Sequence, residues 1–105
     1  MARIVVWTEA AADSLLKAAE YIAADSPAYA ATLVSGADLT AQSLTDFPSR
    51  GRFVPEFNDQ VTRELFVGSY RLIYRATEER ILILAFIHGS RDLQALLGDK
   101  TQPSN

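Results

Sequence analysis

The chain has 105 residues, 49% of them apolar, which fits one domain built round one core. It contains no cysteine, so disulfides and thiolate chemistry are excluded and a cytosolic setting is the simplest reading. The formal charge of −3 argues against tight nonspecific nucleic-acid binding, and no apolar run is long enough to span a bilayer or to make a signal peptide of residues 1–7.

Residues 3–7 (Arg-Ile-Val-Val-Trp) read as a short strand that joins a sheet at its edge. Thr8 is an N-cap, with Glu9 favourable in the first turn of a helix that runs to about Ala24. Leu15, Ala19 and Ile22, with Ala11 or Ala12, form its apolar stripe. Ser26 caps a second helix with Pro27 at its first position, running to about Asp46. Ala30, Leu33, Ala37, Ala41 and Leu44 share one face, and Gly36 marks a place of close backbone approach. The short break between the helices predicts an antiparallel hairpin. Residues 47–59 hold two prolines and a glycine and read as an ordered loop anchored by Phe47, Phe53 and Phe57.

The next stretch carries three runs rich in β-branched and aromatic residues, which predict a three-stranded antiparallel meander. Gly68-Ser69 supplies a two-residue turn with Gly first, and Glu78-Glu79 supplies the second turn. Folding both hairpins sets Leu65, Leu72 and Ala85 in one row, with Val67, Tyr70 and Ile87 in a second and Arg63, Tyr74 and Ile83 in a third. That face is expected to meet the helices. The reverse face collects Phe66, Arg71 and Phe86, then Glu64, Ile73 and Leu84, then Thr62, Arg75 and Leu82. Such a mixture of apolar and guanidinium side chains suits a partner better than water. A slip of one residue would exchange the faces of a whole strand. Ser90 then caps a short helix over 91–97, ended by Gly98, so the domain is expected to occupy 1–98 with 99–105 a disordered tail.

Charge is divided along the chain. From Thr8 to Asp46 there are six acids and one base, whereas Arg50 to Arg91 hold seven arginines against five acids. The sheet half is therefore the half that draws an acidic partner. One histidine and no cysteine leave no metal site, and no cofactor is expected.

Four pieces of the sequence resemble the RelE/ParE superfamily of bacterial toxins from type II toxin–antitoxin systems. They are Ile4-Val5-Val6-Trp7-Thr8, the run from Leu44 to Arg52 (Leu-Thr-Asp-Phe-Pro-Ser-Arg-Gly-Arg), the run from Gly68 to Arg75 (Gly-Ser-Tyr-Arg-Leu-Ile-Tyr-Arg), and the run from Ile87 to Leu93 (Ile-His-Gly-Ser-Arg-Asp-Leu). The resemblance implies an α+β fold of N-terminal strand, helix hairpin, meander and short C-terminal helix. It also implies a cytoplasmic toxin neutralised by an antitoxin that folds a disordered segment over it. The reverse face read above (Glu64, Phe66, Arg71, Ile73, Arg75, Leu82, Leu84, Phe86) is the surface expected to receive that segment.

The superfamily leaves two mechanisms. RelE-like members cleave mRNA on the ribosome with a dense Lys/Arg cluster and a C-terminal Tyr or His-Tyr pair. Here only Arg71 and His88 match that pattern, Gly89 stands where a Tyr is expected, and lysine occurs only at positions 17 and 100. The segments 70–75 and 88–93 are more similar to the ParE branch, which implies inhibition of DNA gyrase without catalytic residues, by a ParD-like-antitoxin-controlled toxin. Arg91, Asp92 and Leu93 are candidates for the target contact. The alternatives are an mRNA endonuclease using Arg71 and His88, and an inactive relative that only binds an antitoxin.

Overall fold

The computed structural model describes residues 3–90. The expected C-terminal helix, the tail and the candidate target contacts Arg91, Asp92 and Leu93 lie outside those residues. Strand β1 (Ile4–Trp7) leads into α1 (Glu9–Ala23) and α2 (Pro27–Ser43), followed by β2 (Arg52–Phe53), β3 (Thr62–Val67), β4 (Tyr70–Ala76) and β5 (Arg80–His88). The strands make one sheet in the order β1-β5-β4-β3-β2. The chain is α+β, with the helix hairpin on one face of the sheet.

Local chemistry fixes the ends of these elements. The Thr8 hydroxyl accepts from the Ala11 N–H at 3.2 Å and donates to the Ile83 carbonyl at 2.9 Å, so it caps α1 and ties that cap to β5. The Ser26 hydroxyl accepts from the Tyr29 N–H at 3.1 Å, with Pro27 opening α2. Gly68 has φ +58 while Ser69 keeps negative φ, the pattern of a hairpin turn with Gly at its first central position. Thr77 N–H donates to the Arg80 carbonyl at 2.8 Å and closes the second hairpin round Glu78-Glu79.

The core lies between hairpin and sheet. Ala11 of α1 and Leu33, Ala37, Ala41 and Leu44 of α2 and its C-cap meet Val67, Leu72, Tyr74, Ile81, Ile83 and Phe86. Leu15, Ala18 and Ile22 fill in from α1, and Val5 and Trp7 from β1. The alanines let the helices approach the sheet closely. Gly36 does not need to be glycine for this, because a Cβ there would meet Val67 Cγ1 at 3.4 Å, an ordinary contact.

The sheet departs from the expected register at one point. β3 and β4 pair as expected, Leu65 with Leu72 and Val67 with Tyr70. The near half of the β4–β5 ladder does too, with Tyr74 opposite Ile83 and Arg75 opposite Leu82. Between Ile73 and Tyr74 a bulge intervenes, so Ile73 faces Ala85, Leu72 faces Phe86, Arg71 faces Ile87 and Tyr70 faces His88. Leu84 is the extra residue of β5, and everything after it changes face. Phe86, expected on the reverse face, is 2% exposed in the helix-side core and stacks on Tyr70 at 5.1 Å between ring centroids. Ala85 and Ile87 take its place on the reverse face. The physical reason is volume: a regular ladder would have set the small Ala85 beneath the helices, and the bulge substitutes a phenyl ring.

Replacing Gly36 with Ala is expected to raise the unfolding free energy by up to about 1 kcal/mol, since it removes the helix-interior cost of glycine without a clash. Urea unfolding of the two chains measures it, and a loss of stability would contradict the spacing of α2 from β3.

Candidate functional site

The reverse face of the sheet is not bare. The loop leaving β2 crosses it, with Val54 (1% exposed) packed on Ile73 (1% exposed) and Phe57, Ala85 and Ile87 round them. Val54 is the anchor of this loop. Phe47 and Phe53, expected to hold it, are exposed, and Phe53 instead lies under the Arg63 guanidinium at 4.1 Å. The segment leading into β2 is held separately from the helix side by Tyr74, whose buried hydroxyl donates to the Pro48 carbonyl at 2.8 Å and accepts from the Gly51 N–H at 2.9 Å. Burial pushes the Tyr74 phenol above its ordinary pKa. Gly51 is required by this contact, because a Cβ there would come within 2.6 Å of the Glu64 carbonyl oxygen.

Beside the apolar patch sits a chain of charges. Glu64, on β3 and 1% exposed, accepts from Arg71 Nε at 2.6 Å through one oxygen and from Arg52 Nε at 2.7 Å through the other. Arg71, on β4 and 4% exposed, turns its remaining nitrogens to Glu56 and donates to both carboxylate oxygens at 2.7 Å. Its pairing with Glu56, reinforced by Glu64, raises the Arg71 pKa, and the same bond holds Glu56 below the usual carboxylate range. A second bracket stands next to it. Asp59 accepts from the backbone N–H groups of Thr62 and Val61 and from the Thr62 hydroxyl, and these bonds lower its pKa. Arg75 donates to the Thr62 hydroxyl at 2.9 Å. The loop is thus held to the sheet by two acids, Glu56 and Asp59.

The expected site residues therefore divide. Glu64, Arg71 and Ile73 share the reverse face but are buried beneath the chain's own loop, and Phe86 lies on the opposite side. Phe66 and Arg75 are exposed, and Leu82 and Leu84 are half-buried. The open part of the reverse face consists of Phe66, Arg75 and Leu82, with Arg52, Ala85 and Ile87 joining them. His88 pairs with Tyr70 on the helix side, where its ring meets Tyr70 edge-on at 5.3 Å, and its Nδ1 lies 2.7 Å from the Ser90 hydroxyl. Arg71 and His88 thus stand on opposite faces of the sheet and share no site. Among the described residues no cluster of His, Asp or Glu could hold a metal. Sequence reading passed over Glu56, Asp59, Arg52 and Val54. The available signal was the presence of two acids in a loop facing an arginine-rich sheet.

Removal of Arg71 leaves Glu64 buried with only half its partners and frees Glu56. Arg71→Ala is expected to lower stability by about 3 kcal/mol, with part of the loss recovered by adding Glu64→Gln; chemical denaturation of both variants measures this. Glu56 and Asp59 have folded pKa values below their unfolded ones, so their contribution is present above the unfolded carboxylate range and is lost as pH falls through the folded values. Stability should accordingly decline below about pH 4.5, and Glu56→Gln should flatten that decline in an acid titration of the unfolding free energy.

Comparison with known proteins extends the picture. A family model for the ParE toxin of type II toxin–antitoxin system, parDE, matches residues 5–93. No curated protein matches the chain in sequence. Among solved structures, a chain of the chromosomal ParDE system from P. aeruginosa is similar with TM-score 0.66 and 20% identity, covering 82% of this chain and 95% of that one. A chain of the RelBE2 toxin–antitoxin complex from Mycobacterium tuberculosis is similar with TM-score 0.58 and 25% identity, covering 84% of this chain and 99% of that one. The strand, helix hairpin and antiparallel meander are the fold that these chains share, and the match over residues 5–93 establishes that this chain belongs to the ParE toxin family of type II toxin–antitoxin systems.

Proposed function

We propose that this toxin acts in the cytoplasm on DNA gyrase, without a catalytic site of its own, and is neutralised by a ParD-like antitoxin laid over the open part of its reverse face. The observation that carries the gyrase reading is the state of Arg71. Cleavage of RNA by a ribose hydroxyl needs a base and cations gathered round one phosphate. Arg71 has its guanidinium committed to Glu56 and Glu64, and His88 is on the other side of the sheet. The acidic composition supports the same reading, since a ribosomal substrate is rich in phosphate. No helix among the described residues is long and apolar enough to cross a membrane.

The neutralising surface follows from exposure. Phe66 is 54% exposed, level with half-buried Ile87, and Leu82 and Leu84 are half-buried further along β5, with Arg75 and Arg52 able to meet acids at the margin. A segment that folds on binding gains affinity from the apolar residues and orientation from the arginines.

Induced expression in bacterial cells separates the mechanisms. Gyrase inhibition predicts DNA breaks, an SOS response and loss of supercoiling with transcripts intact, and His88→Ala should stay fully toxic. Cut transcripts together with an inactive, folded His88→Ala would establish the endonuclease reading, and absence of growth arrest would identify an antitoxin-binding relative. For the neutralising face, Phe66→Glu should weaken the antitoxin complex by roughly thirtyfold, the loss of a central aromatic anchor. Calorimetric titration of the folded variant reads this, and unchanged affinity would place the antitoxin elsewhere.

A further inference from the structure

The arginines of this chain are not all committed in the same way. Arg52, Arg71 and Arg75 each meet a carboxylate on the reverse face. Arg3 and Arg63 meet no carboxylate among the described residues and are held by neutral groups instead. Arg3, just ahead of β1, donates from Nε to the Thr77 carbonyl at 2.6 Å. Arg63, on β3, donates from Nη1 to the Gly51 carbonyl at 2.7 Å, and its guanidinium lies over the Phe53 ring. A carbonyl orients a guanidinium without cancelling its charge. Each arginine thus keeps two nitrogens, Nη1 and Nη2 of Arg3 and Nε and Nη2 of Arg63, that find no acceptor among the described residues.

Both side chains line one cleft of about 420 Å³, at the end of the sheet where β3 begins and β4 ends. Ser49, from the segment after α2, and Gln60, from the loop before β3, line it too, and neither side chain makes a hydrogen bond among the described residues. Three stretches of chain therefore bring uncommitted donors to one hollow. The single acid in its lining is Glu78, an exposed residue of the β4–β5 turn with no ion pair among the described residues, so the lining is net positive. The lining includes no aromatic ring. Arg63 stands opposite Tyr74 in the helix-side row, so the cleft is separate from the surface assigned to the antitoxin.

We propose that this cleft binds a phosphate ester on a small non-aromatic body, a sugar phosphate in chemical class. Guanidinium forks match the oxygens of an oxyanion, and two of them on different elements can grip it from two sides. A carboxylate has two oxygens and would leave part of this donor set unmet, whereas a terminal phosphate has three. The cleft is also roomier than a lone phosphate ion requires and falls in the range of small-molecule sites. Its lack of a ring withholds the stacking that a nucleobase would use, while Ser49 and Gln60 can meet sugar hydroxyls.

Titration of the purified full chain, made isotope-labelled by cell-free synthesis and followed by heteronuclear NMR, tests this. Ribose 5-phosphate is expected to shift the amide signals of Ser49, Gln60 and Thr77 to saturation, at about tenfold lower concentration than inorganic phosphate needs. Adenosine 5′-monophosphate should bind no tighter than ribose 5-phosphate, and ribose alone should shift nothing. Arg3→Ala should weaken binding about tenfold by removing charged donors. Glu78→Gln should strengthen it about threefold by removing the like charge. Neither position belongs to the core, so both variants report on a folded chain. Shifts that never saturate overturn the proposal, as do shifts that acetate reproduces at equal concentration. Binding indifferent to both variants places the anion elsewhere and overturns it too, and a tighter grip on adenosine 5′-monophosphate overturns the sugar phosphate assignment.

Discussion

A carboxylate out of reach of water sets the terms for one whole side of this molecule. Glu64 is tolerated in the interior of β3 because two guanidinium groups grip its two oxygens, one from β2 and one from β4. Arg71, committed to that task, has nitrogens left over, and these demand an acid of their own. Glu56 answers, and the backbone that carries Glu56 must then lie across the sheet. Val54 is brought down onto Ile73 by the same crossing. The apolar patch and the charge chain are therefore carried by one and the same crossing of the loop.

That constraint also decides what kind of chemistry the face can carry. An arginine waiting for a phosphate has to keep its donors available. Arg71 has all three of its nitrogens turned to carboxylates, and its position in the sheet puts it on the opposite face from the only histidine in the chain. The outer residues, Phe66 and Leu82 among them, offer apolar surface rather than a gathered set of donors. This agrees with membership of a toxin family whose solved relatives are found in complexes named for toxin and antitoxin together.

Much of the architecture could be read in the residues. Thr8 and Ser26 announce the helix starts by their own hydroxyl chemistry, and Gly68 announces its turn by the positive φ that other residues avoid. The helix-side rows of β3 and β4 follow from alternation alone. What could not be read was a choice among equals. Nothing local distinguishes Ile83, Leu84 and Ala85 as places to insert an extra residue, because the deciding term is the fit of Phe86 beneath helices far away in sequence. The loop anchors were misjudged for a similar reason. Aromatic size suggested Phe47 and Phe53, whereas the sheet offered a socket the size of a valine.

The bulge at Leu84 has a further meaning for how such chains diversify. Taking Leu84 away would leave Ile83 opposite Tyr74 and Ala85 opposite Ile73, now in unbroken succession, with every other side chain still in its own layer. Strand β5 can therefore lose one residue at that point without reshuffling inside and outside. A chain one residue shorter in the middle of this strand would keep an unaltered interior.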